Sequence, residues 1–266
     1  METELREMRD KFYRHLKNQG YSDAYSYSLA NDYITMSRKV GIFPSPGEME
    51  KYYNGMLERG ISNARLGNTT KMFKHWCRFS DTEPPDVKPP RDNSRRITYL
   101  TEMEAKKLLY ACDSIRDYAL LCVLLYAGLR RAEVVKIRWE DIDFKERILT
   151  VKSTKTNSWS NCVLSEKAVK ALEMWRVRYG TERVFAFNPD RVTRIVRKFA
   201  KAARLEKRVT PHVLRHTLAT NLYNQSGDIM LVKEQLRHRD IKSTLIYTHL
   251  STDEKKRKYD RFCPEF

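Results

Sequence analysis

The stretch Pro211-His-Val-Leu-Arg-His-Thr-Leu-Ala-Thr-Asn-Leu222 decides how the rest of the chain is read. Leu214, Leu218 and Leu222 recur every four residues, so the segment predicts a helix over 211–223 with an apolar stripe turned to a core. Arg215 borders that stripe, and an arginine there needs a buried partner, which a bound phosphate would supply. His212 lies three residues from Arg215, on a neighbouring position of the same helix. Downstream, LVKEQLRHRD (231–240) brings His238 to the end of a second expected helix, over 228–237. STLIYTH (243–249) then brings Tyr247 after a short polar break. A guanidinium fork, imidazoles and a phenol suit a site that grips a phosphodiester and attacks it. Packing is the ordinary role of any one of the chain's 15 tyrosines. A phenol, with a reference pKa of about 10, is a poor nucleophile unless clustered cations favour the phenolate. His212 and His216 also have the i, i+4 spacing of a zinc helix. Val213 stands where such a helix carries its glutamate, so no metal is assigned and His216 reads as a histidine packed beneath the site.

Three upstream features extend the pattern. In AGLRRAE (127–133), Gly128 is suited to end a helix in the left-handed conformation. Arg130 then falls at a helix start, where free N–H groups and the dipole favour an anion. KSTKTN (152–157) is a polar turn between two expected strands, 148–151 and 161–164, and holds Lys152 and Lys155. Arg191, Arg194, Arg197, Lys198, Lys201 and Arg204 recur along one face of an expected helix over 191–204. Val192, Ile195, Val196, Phe199 and Ala203 line another face. The cationic face is either solubilising or a track for phosphates.

The bulk numbers agree with a polyanionic partner. The 266 residues carry a formal charge of +17, and a basic surface of that size favours nucleic acid. Residues 98–266 hold 34 Lys/Arg against 21 Asp/Glu, so 13 of the 17 excess charges fall there. The five cysteines show no C-x-x-C spacing, which argues against disulfides and a cysteine zinc site. No apolar signal segment opens the sequence, and the longest apolar run, 118–127, is too short to span a bilayer. A soluble, cytoplasmic protein with no membrane partner is expected.

Residues 1–80 read as a small helical domain with helices over 23–40 and 45–59. Ser45 is the expected N-cap of the second, and Ser62 that of a third. On that third helix Met72, Phe73, Trp76 and Phe79 form a core face. Lys71, Lys74 and Arg78 interleave with it, as a solvated face or a contact to a nucleic-acid backbone. Residues 81–97, with Pro84, Pro85, Pro89 and Pro90, read as a proline-stiffened linker. The second domain, 98–266, opens on a capping box at Thr101–Glu104. It continues through a buried helix over 116–127, the hairpin, and helices over 165–179, 191–204, 211–223 and 228–237. The expected fold class is mainly α with a small antiparallel sheet.

The ordered boxes resemble those of the tyrosine recombinases, the phage-integrase and Xer family. AGLRRAE resembles the family's first arginine box, HVLRH its H-x-L-R-H box, LRHRD its L-G-H-x-D box and STLIYTH its nucleophile box. The resemblance implies a SAM-like core-binding domain before a DNA breaking–rejoining catalytic domain. It implies that Arg130, Arg215, His212 and His238 bind the scissile phosphate and that Tyr247 forms a 3′-phosphotyrosyl bond. His212 is a further acceptor of the tyrosine proton, and Glu133 helps hold the site together. Lys155 matches the lysine that protonates the leaving 5′-oxygen, with Lys152 as runner-up. Arg237 stands where the family has glycine, which leaves open a shift of His238 or an added phosphate contact. The layout has no room for an arm-binding domain and fits the simpler Xer type. The implied partner is duplex DNA bearing recombination sites, cut by a homotetramer that is a monomer or weak oligomer when free, with no cofactor. A type IB topoisomerase would share the chemistry, and a non-enzymatic DNA-binding regulator would share the charge but not the ordered boxes. Residues 251–266 offer only Tyr259 and Phe262 as large apolar groups. They read as an anchor in a neighbouring subunit or as a basic tail on DNA.

Overall fold

The computed structural model describes residues 2–89, 97–152, 158–177 and 182–248. Lys155 and the segment 251–266 lie outside them. The chain divides into two compact units, Met1–Arg95 and Arg96–Phe266.

The first unit is built from α1 (Glu2–Asn18), α2 (Asp23–Val40), α3 (Pro46–Glu58) and α4 (Asn63–Ser80). Its core gathers Phe12, Met49, Tyr53 and Phe73 around Trp76, on which Tyr33 stacks with ring centroids 3.9 Å apart. Ser45 caps α3 as expected, and Glu48, not foreseen in this role, completes a capping box with it. Ser62 occupies the N-cap position of α4, but its side chain makes no capping hydrogen bond. Helix α1 was not foreseen, because only Leu5, Phe12 and Leu16 of its 17 residues are buried. The expected linker is not free over its first part. Pro85 is buried, Val87 packs on the core, and the Lys88 carbonyl accepts from the Tyr53 hydroxyl at 3.0 Å.

In the second unit the Thr101–Glu104 capping box opens α5 (Glu102–Tyr110). Helix α6 (Ile115–Tyr126) is the centre of the unit: Ala119 to Leu125 are buried without a break. Helix α7 (Arg131–Val134) is a single turn. The sheet follows, with antiparallel order β1 (Ile142–Asp143), β2 (Ile148–Lys152), β3 (Trp159–Val163); the two-residue β1 is too short to announce itself in sequence. Leu149 faces Cys162, and both are buried. Then come α8 (Glu166–Arg176), α9 (Pro189–Ala202), α10 (Pro211–Ser226), α11 (Ile229–Leu236) and α12 (Lys242–Leu245). Helix α9 starts at Pro189 behind an Asn188 cap and ends before Arg204, which takes a left-handed φ of 53°. Helix α11 is fastened to β3 by Gln235, whose side-chain amide bonds the Val163 N–H at 3.0 Å and the Val163 carbonyl at 2.9 Å. The class is mainly α with a small antiparallel sheet, and no described helix is long and apolar enough to cross a membrane.

Candidate active site

Three elements meet at Gly128. Its φ is +63°, and a Cβ there would lie 2.8 Å from both Leu218 on α10 and Leu236 on α11. Glycine suits the position twice over, easing the left-handed backbone and leaving room for the ends of two leucine side chains. This junction brings the Gly128 carbonyl to Arg215 of α10. Arg215 is only 4% exposed and donates from Nη1 to that carbonyl and from Nη2 to the Leu236 carbonyl. The buried partner expected from a bound phosphate is thus supplied within the fold, by two backbone oxygens. Burial first, then the Arg130 and Arg237 guanidiniums, lower Arg215 to about 9, so it stays cationic at neutral pH.

Arg130 stands at the N-cap of α7, but the anion expected at that helix start is the chain's own Glu133. Glu133 Oε1 accepts from Arg130 Nη1 at 2.6 Å, and Oε2 accepts from the Arg130 N–H at 2.8 Å. Arg237 Nη2 reaches the same Oε2 at 2.9 Å. Burial alone would raise the Glu133 carboxyl; Arg237 and then Arg130 outweigh it and hold the group below its ordinary range.

The left-handed turn that a glycine would make after α11 is made by Arg237, with φ 56° and ψ 46°. His238 follows, its Nδ1 2.9 Å from the hydroxyl of Thr244, which is fully buried. Burial, then Arg215, Arg130 and Arg237, push His238 down to about 4. Tyr247 is 4% exposed and packs with Ala219, Val232 and Leu236. Its hydroxyl lies 2.7 Å from His216 Nδ1, so the imidazole beside the phenol is His216 and not His212. His212 lies one turn earlier on the exposed side of α10. Desolvation and neighbouring charge lower both: Arg215, Arg131 and Arg130 act on His212, and His212 and Arg215 on His216. Burial raises Tyr247, against the pull of Arg215 and Arg130. At neutral pH the site thus holds neutral imidazoles, a protonated phenol and guanidiniums that carry the charge.

Arg130, Glu133, Arg215, His216, His238 and Tyr247 are brought together as the sequence boxes imply. Arg237, left open as an added phosphate contact, is instead bonded to Glu133 and the Gln235 carbonyl. Thr244 and the carbonyls of Gly128 and Leu236 were not foreseen as parts of the site. Thr244 was visible as the threonine of the nucleophile box, whereas backbone partners leave no mark in sequence. Lys152 lies over the Trp159 ring at 5.4 Å. Along α9, Arg191, Arg194, Arg197, Lys198 and Lys201 are all exposed. Lys198 pairs with Asp113 at 2.6 Å, and Arg191 lies over Phe187 at 4.9 Å. On α4, Lys71, Lys74 and Arg78 are exposed, while Met72, Phe73, Trp76 and Cys77 are buried.

The sequence model of the phage integrase family matches residues 98–254. The chain is 28% identical to tyrosine recombinase XerA of Pyrococcus horikoshii, over 83% of this chain and 81% of that protein. It is 33% identical to tyrosine recombinase XerD of Listeria innocua, over 87% of this chain and 80% of that one. Among solved structures, a XerA recombinase crystal structure superposes with a TM-score of 0.59 at 28% identity, covering 98% of this chain and all of that one. The Tn1549 transposon integrase, in complex with transposon right end DNA, shares the fold at TM-score 0.76 and 16% identity, over 97% of this chain and 99% of that chain. The family model spans more than half of the chain, and the chain therefore belongs to the phage integrase family, the tyrosine recombinases.

Proposed function

We propose that this chain is a site-specific DNA recombinase that cuts and rejoins strands through a 3′-phosphotyrosyl bond on Tyr247. The observation that carries the reading is the 2.7 Å contact between Tyr247 and His216, set among the Arg215, Arg130 and His238 side chains. In the cleavage step Tyr247 Oη bonds to phosphorus, the P–O5′ bond breaks, and the phenol proton passes to the neutral His216 beside it. Arg130 and Arg215 take up the charge that grows on the phosphate oxygens, and His238 hydrogen-bonds one of them. Lys155, matched by the family's lysine position, gives the departing 5′-oxygen its proton. Rejoining reverses these transfers with the 5′-hydroxyl of another strand. The ester conserves the bond energy, so the step calls for neither ATP nor metal. The substrate is duplex DNA with paired recombination sites. The active unit is a homotetramer across two sites, assembled from a monomer or weak oligomer in the cytoplasm. The exposed cations of α9 and α4 bind backbone phosphates.

The test is adduct formation on a nicked suicide substrate in excess EDTA. The unaltered chain should become covalently attached, and Tyr247→Phe should bind the DNA but form no adduct. An adduct with Tyr247→Phe would move the nucleophile elsewhere, and a zinc requirement would replace this mechanism with a metal one.

A further inference from the structure

Arg237 has no part in the steps above, yet its side chain is only 5% exposed. It sits in a left-handed turn that L side chains adopt reluctantly, with φ 56°. From that turn Nη1 donates to the Gln235 carbonyl at 3.0 Å, and Nη2 donates to Glu133 Oε2 at 2.9 Å. The other oxygen of Glu133 is held by the Arg130 guanidinium at 2.6 Å. One buried carboxylate is thus shared by two guanidiniums, one from three residues before it and one from 104 residues after it.

The charge count shows what this sharing does. Arg130 and Glu133 alone form a neutral pair, and a phosphate oxygen would have to compete with the carboxylate for Arg130. With Arg237 on the second oxygen, the group of three carries one net positive charge. Arg130 is then left with charge to offer an incoming anion, close to the cation of Arg215. The same turn sets the backbone from which His238 projects. We infer that Arg237 is a positioning residue: it takes over the charge of Glu133 so that Arg130 can act on the scissile phosphate. This rests on the recombinase reading above.

Lysine and methionine at position 237 would suffer the same backbone strain and have similar length, so the difference between them reads charge. The experiment measures adduct formation on a nicked suicide substrate at saturating DNA, alongside affinity for a single site. Arg237→Met should keep its affinity within about threefold and cleave about 10- to 100-fold more slowly, somewhat less than the loss of a donor acting directly on the reacting oxygen. Arg237→Lys should recover most of that loss. Should Arg237→Met fail to fold, Arg237→Gln keeps the strain, removes the charge and replaces it in the comparison. Equal rates for the charged and uncharged variants, whether fast or slow, would overturn the inference and leave Arg237 a mere helix cap. Absence of any adduct with the unaltered chain would overturn the recombinase reading, and this inference with it.

Discussion

The cations around Tyr247 and those along the outer face of α9 are chemically alike and physically opposite. Arg215 and Arg237 are enclosed, and each is tied to oxygens of the chain itself: two carbonyls for one, a carbonyl and a carboxylate for the other. On α9 the cations stand in water. Lys198 pairs with Asp113 while both side chains remain more than half exposed. Enclosed guanidiniums are oriented before any substrate arrives and interact at short range in a medium of low polarity. Exposed ones are screened over about 8 Å at physiological salt and can be exchanged for one another. On the function proposed above, the first set governs how fast a bound phosphate reacts, and the second how tightly and how salt-sensitively the DNA is held.

The division breaks most visibly if charge alone suffices at the enclosed position. Arg215→Lys retains a cation but cannot span the Gly128 and Leu236 carbonyls, so adduct formation at saturating DNA should fall about 10³-fold. A loss below tenfold in that assay would mean that the fork is dispensable.

Acid should sharpen the same contrast. His212, His216 and His238 are all lowered in the folded chain, so the unfolded chain takes up their protons first as pH falls through 6.5. Their contribution is complete above 6.5 and drains away towards the folded value, about 4 for His238. That residue alone contributes on the order of 1–2 kcal/mol to the loss once its partial exposure to solvent is discounted. Thermal unfolding at pH 7, 5.5 and 4 should show the decline, and neutralising α9 cations should leave its shape unchanged. A melting temperature that is flat from 7 to 4 would contradict the desolvation of His216 and His238.

The smallest effect belongs to α9. Arg194→Ala together with Arg197→Ala should weaken DNA binding about tenfold and flatten the dependence of log affinity on log salt by about two. A change in rate at saturating DNA larger than the change in affinity would erase the distinction between the two sets.

The boxes themselves were legible in sequence because each is local: His212, Arg215 and His216 share one helix, and Tyr247 follows His238 by nine residues. The hydrophobic period placed α6, α9 and α10 to within a few residues. What escaped was whatever depends on distant chain segments meeting. Arg237 and Glu133 are 104 positions apart, and Arg215 and Gly128 are 87 apart. The Tyr247–His216 contact depends on where the chain after α12 meets α10, which no spacing encodes. Ser62 shows the converse: a residue with the right chemistry for a cap stands at the cap position and makes no capping bond.

Arg215 also closes structure. The Leu236 carbonyl is the last of α11, and the Gly128 carbonyl lies just past the Ala127 cap of α6, so one guanidinium ties together the ends of two helices. Many enzymes can lose a strained functional side chain and gain stability in return. Here that exchange is closed, since the group proposed to seize the phosphate is also a clasp of the architecture. An inactive descendant of this chain would gain nothing in robustness by discarding Arg215. The arginine should therefore outlast the activity itself in any lineage that keeps the fold but gives up recombination.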